Sequence, residues 1–335
     1  MKKTIITVLK LGFFLGLGIL FIWLFVRQLT PEQEHEIIVS FTKANYWWLL
    51  PVFVVWFLSL LFRAIRWNMM LQSMEYFPKI YNTFMAVLIG YFANLALPRL
   101  GEVSRCSVLT KYENIPFSKS FGTVITERVF DMLIFIVLFF ILLASQFEGI
   151  HLYVEEKVYE PLSEKFNMEN FSFHFIFIVL GFFIICVLLY FVLRKRLLKW
   201  KLYIKVREQI RHLFSGLKSI FNLKSPWLFL LNTLLIWVCY LLMTWFCFYC
   251  FADTNDLAFA PAFAVLIFGA IGFMVVQGGI GLYPVIVAET LTLYGIVETT
   301  GYALGWLSWS AQTLMFIVLG IISLVILPIV NKKHK

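Results

Sequence analysis

The sequence predicts an all-α polytopic membrane protein, and composition, apolar run length and loop charge support this fold class. Of the 335 residues, 61% are hydrophobic and only 14% are charged, whereas soluble domains have about 25% charged residues. Several apolar runs exceed the ~18 residues that indicate a membrane-spanning helix. Basic and acidic loops alternate between these runs, as expected when basic loops face the cytoplasm. We therefore expect six full transmembrane helices and two re-entrant helical hairpins, arranged as two inverted repeats.

The first repeat is predicted over residues 1–150. Residues 7–25 follow the basic start "MKK" and lack a small-residue cleavage site, so they predict an uncleaved first helix. The acidic stretch "PEQEHE" is expected outside, and residues 46–61 return to the cytoplasmic side. There "FRAIRW" is expected to end the second helix. After a hairpin at residues 83–112, residues 121–143 make the third crossing.

The hairpin at residues 83–112 follows from the number of crossings. If it crossed the membrane once, the strongly basic loop later in the chain would lie outside, against the positive-inside rule. Its first arm of about 15 residues makes about 22 Å of helix, and the hydrocarbon core is about 30 Å thick. Pro98 is expected to break the helix and Gly101 to ease the reversal. Because broken backbone at that depth must lie in protein or line a wet cavity, the charges in "NLALPRLGEVSRCSVL" are predicted within the membrane.

The second repeat, residues 151–335, is predicted to follow the same plan in the opposite orientation. Its full crossings are predicted at residues 171–193, 227–251 and 306–327. Residues 257–297 surround "VQGGIGLYP" and predict a hairpin that enters from outside. The basic loop of residues 194–225, with ten Lys and Arg and one Glu, is expected in the cytoplasm. There it either sets the topology alone or also lies on anionic headgroups. Both chain termini are expected on the cytoplasmic side of the cell membrane.

The sequence indicates no cofactor, no metal and no nucleic-acid partner. The formal net charge of +9 is concentrated in the predicted cytoplasmic loop rather than in a nucleic-acid-binding motif. The histidines are scattered without metal-ligand spacing, and no Walker-type phosphate loop is present. "CFYC" has CxxC spacing but lacks a soluble βαβ context, so the cysteines favour packing. These cysteines are Cys106, Cys186, Cys239, Cys247 and Cys250.

Charged side chains in the predicted membrane region are the candidate site. Each costs about 2.5–3.5 kcal/mol on insertion scales, so such residues usually serve a function. The candidates are Asn94, Arg99, Glu102, Arg105, Glu127, Arg128 and Asp131. Secondary candidates, expected at the cytoplasmic surface where the second helix ends, are Arg63, Arg66 and Trp67. Glycines of "QGGIG" predict a flexible turn that exposes backbone N–H groups; they are Gly278, Gly279 and Gly281.

Two interpretations of these charges remain open. In the first, an ion-pair network only pins the hairpin, with Glu102 paired to Arg128 and either Arg99 or Arg105 paired to Asp131. In the second, the arginines and a helix N-terminus hold an anionic group such as phosphate. The carboxylates would then act as counter-ions or, if burial raises their pKa, as proton carriers. The broken helix favours the second interpretation.

The succession "RAIRW", "NLALPRLGEVSR", "TERVFD" and a Gly-rich turn resembles the lysylphosphatidylglycerol synthase transmembrane-region family over nearly the whole chain. That family resembles the flippase half of the bacterial multiple peptide resistance factor. The resemblance implies a lipid-translocating membrane domain with two re-entrant hairpins. The soluble aminoacyl-transferase domain of the resistance factor is absent, so we expect no lysyl-lipid synthesis.

The second hairpin departs from the family pattern, in which Pro–Gly–Gly–Leu–Gly is followed shortly by Glu. Here Gln277 replaces the proline, and Tyr283–Pro284 stand where the carboxylate is expected. Glu289 lies further along the chain. Because of this departure, the resemblance does not predict which lipid is the substrate, nor a coupling role for a carboxylate at this turn.

The leading functional hypothesis is a flippase-like transporter, not an enzyme, that moves an anionic phospholipid or a polyprenyl-phosphate-linked lipid across the cytoplasmic membrane. The arginines would hold the phosphate while the tails stay in lipid. One alternative is an intramembrane enzyme acting on a lipid phosphate, for which the sequence offers no nucleophile or metal constellation. Another is a non-transporting partner that anchors a lipid or glycan synthase through the basic loop.

Overall fold

The computed structural model describes residues 19, 23, 27, 29–97, 99–145, 223 and 225–332. Every regular element in these ranges is helical. The α-helices are α1 Pro31–Lys43, α2 Leu49–Gln72, α3 Ile80–Ala96, α4 Leu100–Glu113, α5 Phe117–Ser145, α6 Pro226–Phe248, α7 Phe259–Val275, α8 Leu282–Thr292 and α9 Glu298–Val330. Single 3₁₀ turns lie at Tyr46–Trp48, Ala252–Thr254 and Gln277–Gly279.

Several predicted segments fall wholly or mostly outside the described residues and stay predictions. They are the first helix at residues 7–25, the crossing at 171–193, most of the basic loop at 194–225 and the helix break at Pro98. Within the first of these, Ile19 and Trp23 are helical.

Four of the described helices are long and apolar enough to span a bilayer, which confirms an all-helical membrane protein. They are α2 with its leading 3₁₀ turn, α5, α6 and α9. The predicted boundaries differ most at two places. Helix α2 continues to Gln72, eleven residues past its predicted end, and α9 begins at Glu298 rather than residue 306. Both extensions carry polar residues that a hydropathy pattern excludes.

Helix α1 was not predicted, although its start carries a recognisable signal. The Thr30 side chain accepts a hydrogen bond from the Gln33 backbone N–H, and the Gln33 side chain accepts one from the Thr30 N–H. This reciprocal capping box satisfies two otherwise unpaired donors. Pro31 in the first turn is already suited to a helix start.

Helices α2 and α6 pack side by side in antiparallel orientation. At one end the Asn45 N–H donates to the Cys250 carbonyl at 2.7 Å, and at the other end Arg66 Nη1 donates to Thr233 Oγ1 at 3.3 Å. Aromatic and aliphatic side chains, Trp56 and Leu60 among them, fill the core beside this pair. The pairing places polar residues of two distant sequence segments in one buried layer.

Helix α9 contacts two helix pairs in succession. Its N-terminal half packs on α8, where Gly305 lies against Pro284. Its C-terminal half packs on α3, where Phe316 stacks on Tyr91 with ring centroids 4.6 Å apart and Gly320 lies against Phe92. The pairs α3–α4 and α7–α8 therefore follow one another along a single helix.

The open ends of the α3–α4 pair lie together at the C-terminal end of α9. Asn82, at the start of α3, hydrogen-bonds Glu113 at the end of α4 and Asn331 just after α9. Thr83 donates to Asn68, near the end of α2. Helix α3 thus leaves this end and α4 returns to it.

The α7–α8 pair has the reverse orientation. Its open end lies at the N-terminal end of α9, where Thr300 Oγ1 donates to Asp253 Oδ2 at 3.1 Å just before α7. Its turn lies near the middle of α9, where Trp309 Nε1 donates to the Gly278 carbonyl at 2.6 Å.

The two turns share a backbone pattern. In the first, Leu97 is extended and Arg99 is left-handed at φ 64° and ψ 4°. In the second, Val276 is extended and Gly278 is left-handed at φ 68° and ψ 5°. Gly101 does not make the reversal as predicted: it lies inside α4 and permits close approach, since an added Cβ would overlap the Gly90 carbonyl oxygen.

Candidate functional site

A buried cluster of charged side chains joins three helices. We call Arg63, Arg66, Arg105, Glu127 and Asp131 the charge cluster. The first two lie on α2, the third on α4 and the carboxylates on α5. The arginine side chains are at most 5% exposed, Glu127 is fully buried and Asp131 is 15% exposed. These groups are ionisable side chains enclosed in the interior of a membrane protein.

Glu127 is the centre of the cluster. Its Oε1 accepts hydrogen bonds from Arg63 Nη1 at 3.1 Å and from Arg66 Nη2 at 3.3 Å. Its Oε2 accepts one from Arg105 Nη1 at 3.1 Å. A buried carboxylate with three charge-assisted bonds holds its partners strongly in place.

Asp131 completes the cluster one helical turn further along α5. It pairs with Arg66 Nη1 at 2.7 Å and with Arg63 Nη2 at 3.4 Å. Because residues four apart share a helix face, Glu127 and Asp131 both reach the arginines of α2. Arg63 Nη2 also donates to the Tyr240 hydroxyl on α6 at 3.0 Å.

Aromatic rings enclose the guanidinium groups. The Arg105 guanidinium lies 4.8 Å from the centroid of the Trp67 ring, and Arg63 lies 5.8 Å from Tyr91. Such contacts stabilise a desolvated cation by about 2 kcal/mol. Trp67 is itself fixed, because its Nε1 donates to Thr123 Oγ1 at 2.9 Å.

The charge cluster has more positive than negative groups. Three guanidinium groups face two carboxylates, which leaves an excess of one positive charge. Arg105 is 3% exposed, yet its Nη2 and Nε hydrogens have no hydrogen-bond partner in the described ranges. Within the same ranges, Arg63 and Arg66 each leave only Nε without a partner, and the Asp131 oxygens make ion pairs but no hydrogen bond. A buried charge is normally paired and hydrogen-bonded. The arrangement therefore suits an additional anion.

Glu102, Arg128 and Arg99 lie outside the charge cluster. Glu102 Oε1 pairs with Arg128 Nη2 at 3.4 Å, as predicted, and the Arg128 side chain is 42% exposed. Arg99 is exposed at the α3–α4 turn. Asn94 braces this hairpin, since its Oδ1 accepts a hydrogen bond from the Gly101 N–H at 2.7 Å.

Two placements expected from the sequence were wrong. Arg63, Arg66 and Trp67 do not lie at a surface, because α2 continues past them and buries them. Arg105 pairs with Glu127 rather than Asp131. The partners of Arg63 lie 64 residues or more away in sequence, so no local pattern indicates them.

The glycine-rich turn does not join the charge cluster. Gly278, Gly279 and Gly281 all have positive φ, and the Gly278 carbonyl accepts from Trp309. Tyr283, at the position of the family carboxylate, packs on Gly269. Glu289 is exposed on α8 and does not line the neighbouring cavity.

A cavity of about 160 Å³ lies between α2, α6, α7, α8 and α9. Most lining side chains are apolar or aromatic, and none of them is charged. Tyr240 lines the cavity and also accepts the hydrogen bond from Arg63. This tyrosine thus connects the neutral cavity to the charge cluster. In the described part of the chain, no three His, Cys, Asp or Glu side chains gather as a metal site would require.

Comparison with known proteins gives two similarities. A family model described as "Lysylphosphatidylglycerol synthase TM region" matches residues 8–322. A UPF0104 membrane protein of Methanocaldococcus jannaschii is 28% identical over 134 residues, which is 39% of this chain and 39% of that protein. The matched part therefore spans well under half of the relative. No solved structure matches this sequence.

Proposed function

This chain belongs to the lysylphosphatidylglycerol synthase transmembrane-region family, and we propose that it is a flippase-like transporter of a lipid that carries a phosphate. The family match confirms the resemblance expected from the sequence. The substrate is an anionic phospholipid or a polyprenyl-phosphate-linked lipid. Its phosphate binds the charge cluster while its apolar chains stay in the bilayer.

The observation that carries this proposal is the unpaired capacity of Arg105. A cluster that served only as a scaffold would balance its buried charges, because an uncompensated buried charge is strongly destabilising. Here one guanidinium is in excess and keeps two nitrogens without hydrogen-bond partners in the described ranges. A phosphate oxygen would satisfy these donors and reduce the excess charge.

The helix arrangement supports re-entrant hairpins in inverted repeats. Helices α4 and α8 have 14 and 11 residues, or about 21 Å and 17 Å, which is less than the ~30 Å hydrocarbon core. The pairs open toward opposite ends of α9, and α3 contacts the Gln277–Gly279 turn of the other pair near the middle of α9. Inverted repeats with broken helices at the membrane centre are typical of transporters. In this topology the C-terminal end of α9 faces the cytoplasm.

The carboxylates act as counter-ions in this proposal. Glu127 holds three guanidinium groups in one orientation, so that they are positioned before a lipid arrives. The exposed Arg128, its half-buried partner Glu102 and the exposed turn residue Arg99 lie nearer the surface of the protein. They provide a path of polar groups toward the buried charge cluster.

Lipid movement in liposomes tests the proposal. The purified full chain is reconstituted with fluorescent phosphatidic acid, a fluorescent polyprenyl phosphate or fluorescent phosphatidylcholine, and movement between leaflets is followed by chemical quenching of the outer leaflet. We expect movement of a lipid with an anionic phosphate group. Arg105→Gln should reduce it about 10–100-fold, because hydrogen bonds to charged groups contribute about 1.5–3 kcal/mol.

Lys111→Gln is the matched control, since it removes an exposed cation from the same helix. It should leave lipid movement unchanged. Equal rates for Arg105→Gln and the unaltered chain, with both folded, would refute the phosphate site. Movement of phosphatidylcholine alone would refute the substrate class.

A further inference from the structure

The cavity beside the charge cluster offers neutral polar groups at one side. Tyr240 accepts a hydrogen bond from Arg63 Nη2, and its own hydroxyl hydrogen donates to no described group. Gln312, on α9, lines the same cavity, and its carboxamide makes no hydrogen bond with any described residue. Together they offer at least two donors and one carbonyl acceptor to a ligand.

Other hydroxyls in the cavity wall are already used by the protein. Thr244 Oγ1 donates to the Tyr240 carbonyl at 3.1 Å, and Ser308 Oγ donates to the Leu304 carbonyl at 2.9 Å. Both bonds run within their own helices, as is usual for such residues in membrane helices. The Tyr283 hydroxyl in the same wall hydrogen-bonds with the Ser308 side chain. The remaining polar capacity is therefore concentrated at Tyr240 and Gln312.

The remaining wall is aromatic and aliphatic, with rings from Trp56, Phe273 and Tyr283. No charged side chain lines the cavity, so an ionised group placed there would lack a counter-ion and lose solvation. Uncharged hydroxyl groups can hydrogen-bond to the amide and phenol while C–H faces pack on the rings. The wall chemistry thus fits a neutral polyhydroxyl group.

We propose that this cavity binds the uncharged, hydroxyl-bearing head group of the lipid whose phosphate binds the charge cluster. The inference rests on the proposed function and deepens it by naming the chemistry next to the phosphate. Tyr240 lies between the two subsites, one hydrogen bond from Arg63. The volume of about 160 Å³ is below the ~300–1,000 Å³ of pockets for drug-sized ligands, so it suits one compact ring rather than lipid chains.

Competition binding to the purified full chain in detergent tests this assignment. A fluorescent phosphatidic acid is displaced by phosphatidylinositol, which has a neutral hydroxylated ring, by phosphatidylmethanol, a phosphodiester of the same charge without the ring, or by phosphatidylethanolamine, which adds an ammonium group. We expect phosphatidylinositol to bind about fivefold tighter than phosphatidylmethanol, the effect of about one net hydrogen bond. Gln312→Leu, which is close in volume and apolar, should abolish this preference without weakening phosphatidylmethanol.

Thr244→Val is the matched control, because it removes a hydroxyl from the same wall that is already bonded to its own helix. It should keep the preference. If Gln312→Leu still binds phosphatidylinositol more tightly, or if it loses affinity equally for both lipids, the inference is overturned. Tighter binding of phosphatidylethanolamine than of phosphatidylinositol would overturn it too, by assigning the aromatic wall to a cation.

Arg105→Gln separates this inference from the function on which it rests. It should weaken both anionic lipids by a similar factor and leave the ratio between them unchanged. If Arg105→Gln weakens neither lipid, the phosphate site fails. If Arg105→Gln weakens both while Gln312→Leu changes nothing, only the head-group site fails. Each variant is used once its elution and thermal unfolding match those of the unaltered chain.

Discussion

The two helix pairs α3–α4 and α7–α8 turn in the same way but carry different chemistry. At matching positions, Arg99 has φ 64° and Gly278 has φ 68°. Glycine adopts this conformation without steric cost, whereas other residues lose about 1–2 kcal/mol. The first turn thus keeps a strained, charged residue where the second has the residue that fits best. Glu75 and Asn114 also have positive φ, so strain alone does not assign a role to the Arg99 side chain, and a transport measurement is needed to test it.

The pairs also differ in how they attach to their neighbours. The first is tied by charge, since Arg105 on α4 binds Glu127 on α5. The second is tied by shape, since Pro284 and Ala288 on α8 fit against glycines of α9. In the proposed transporter, the charged pair binds the phosphate and the neutral pair lines the cavity beside it.

The largest expected effect on stability comes from removing the carboxylate that binds the first pair to α5. Glu127→Gln should lower the free energy of unfolding by about 3–5 kcal/mol, because it leaves three buried arginines with one carboxylate. Asp256→Asn, which alters an exposed carboxylate just before the second pair, should change it by less than about 0.5 kcal/mol. Denaturant titration in detergent micelles measures both. If both variants lost a similar free energy of unfolding, the distinction between a charged and a neutral pair would be wrong.

The next largest effect on stability comes from glycines at which the two helices of a pair approach closely. Gly101→Ala should destabilise the protein by about 1–3 kcal/mol, because the new methyl group overlaps the Gly90 carbonyl and lies 2.6 Å from Asn94 Cγ. Gly272→Ala in the second pair should lose less, since its nearest contact is the flexible end of Ile286 at 3.1 Å. Thermal unfolding of both variants checks the order.

Gly122→Ala is the control for helix propensity in that experiment. Its added Cβ meets no atom within 4 Å, so the variant should gain stability, by up to about 1 kcal/mol. If Gly101→Ala also increased stability, the two helices of the first pair would be able to separate without loss of stability.

Substitutions at the two turn residues should change stability less, and in opposite directions. Gly278→Ala should lose about 1–2 kcal/mol, because a Cβ disfavours the left-handed conformation. Arg99→Gly should relieve strain and gain up to about 1 kcal/mol while it slows anionic lipid movement. Unfolding and liposome transport are measured on the same preparations. If Arg99→Gly transported lipid normally, the retained strain would have no functional meaning.

The smallest effect comes from the bond that fixes the second turn. Trp309→Phe should lose about 0.5–1.5 kcal/mol, because it removes the donor to the Gly278 carbonyl. Trp245→Phe removes a comparable donor to the Leu257 carbonyl at 3.2 Å, away from the turn. Only the first variant should increase hydrogen exchange in residues 276–281. Equal exchange in both would mean that packing alone holds the turn.

The sequence predicted the helices better than it predicted the site. Apolar run length placed α5 and α6 within a few residues of their bounds, because burial in lipid dominates their composition. The same criterion ended α2 too early, at the first arginine. Arg63 and Arg66 looked like surface residues because their carboxylate partners follow some 60 positions later. Only the folded chain brings these charges together.

Two further features have local signals in the sequence. The Thr30 to Gln33 spacing marks the start of α1. The polar start of α9, "ETTGYALG", has small residues at i, i+4 spacing that suit close helix contact. By contrast, the cavity shared by Tyr240 and Gln312 depends on side chains from five helices. No spacing along the chain predicts such a convergence.

The length of α9 links the protein to the membrane in which it sits. Its 33 residues make about 50 Å of helix, well beyond a hydrocarbon core of about 30 Å. The helix must therefore tilt or extend beyond the lipid, and a thinner bilayer increases the mismatch. Because both helix pairs pack along this one helix, a change in its tilt would displace both turns. Bilayer thickness is thus a physical variable that the fold itself makes relevant to the proposed transport.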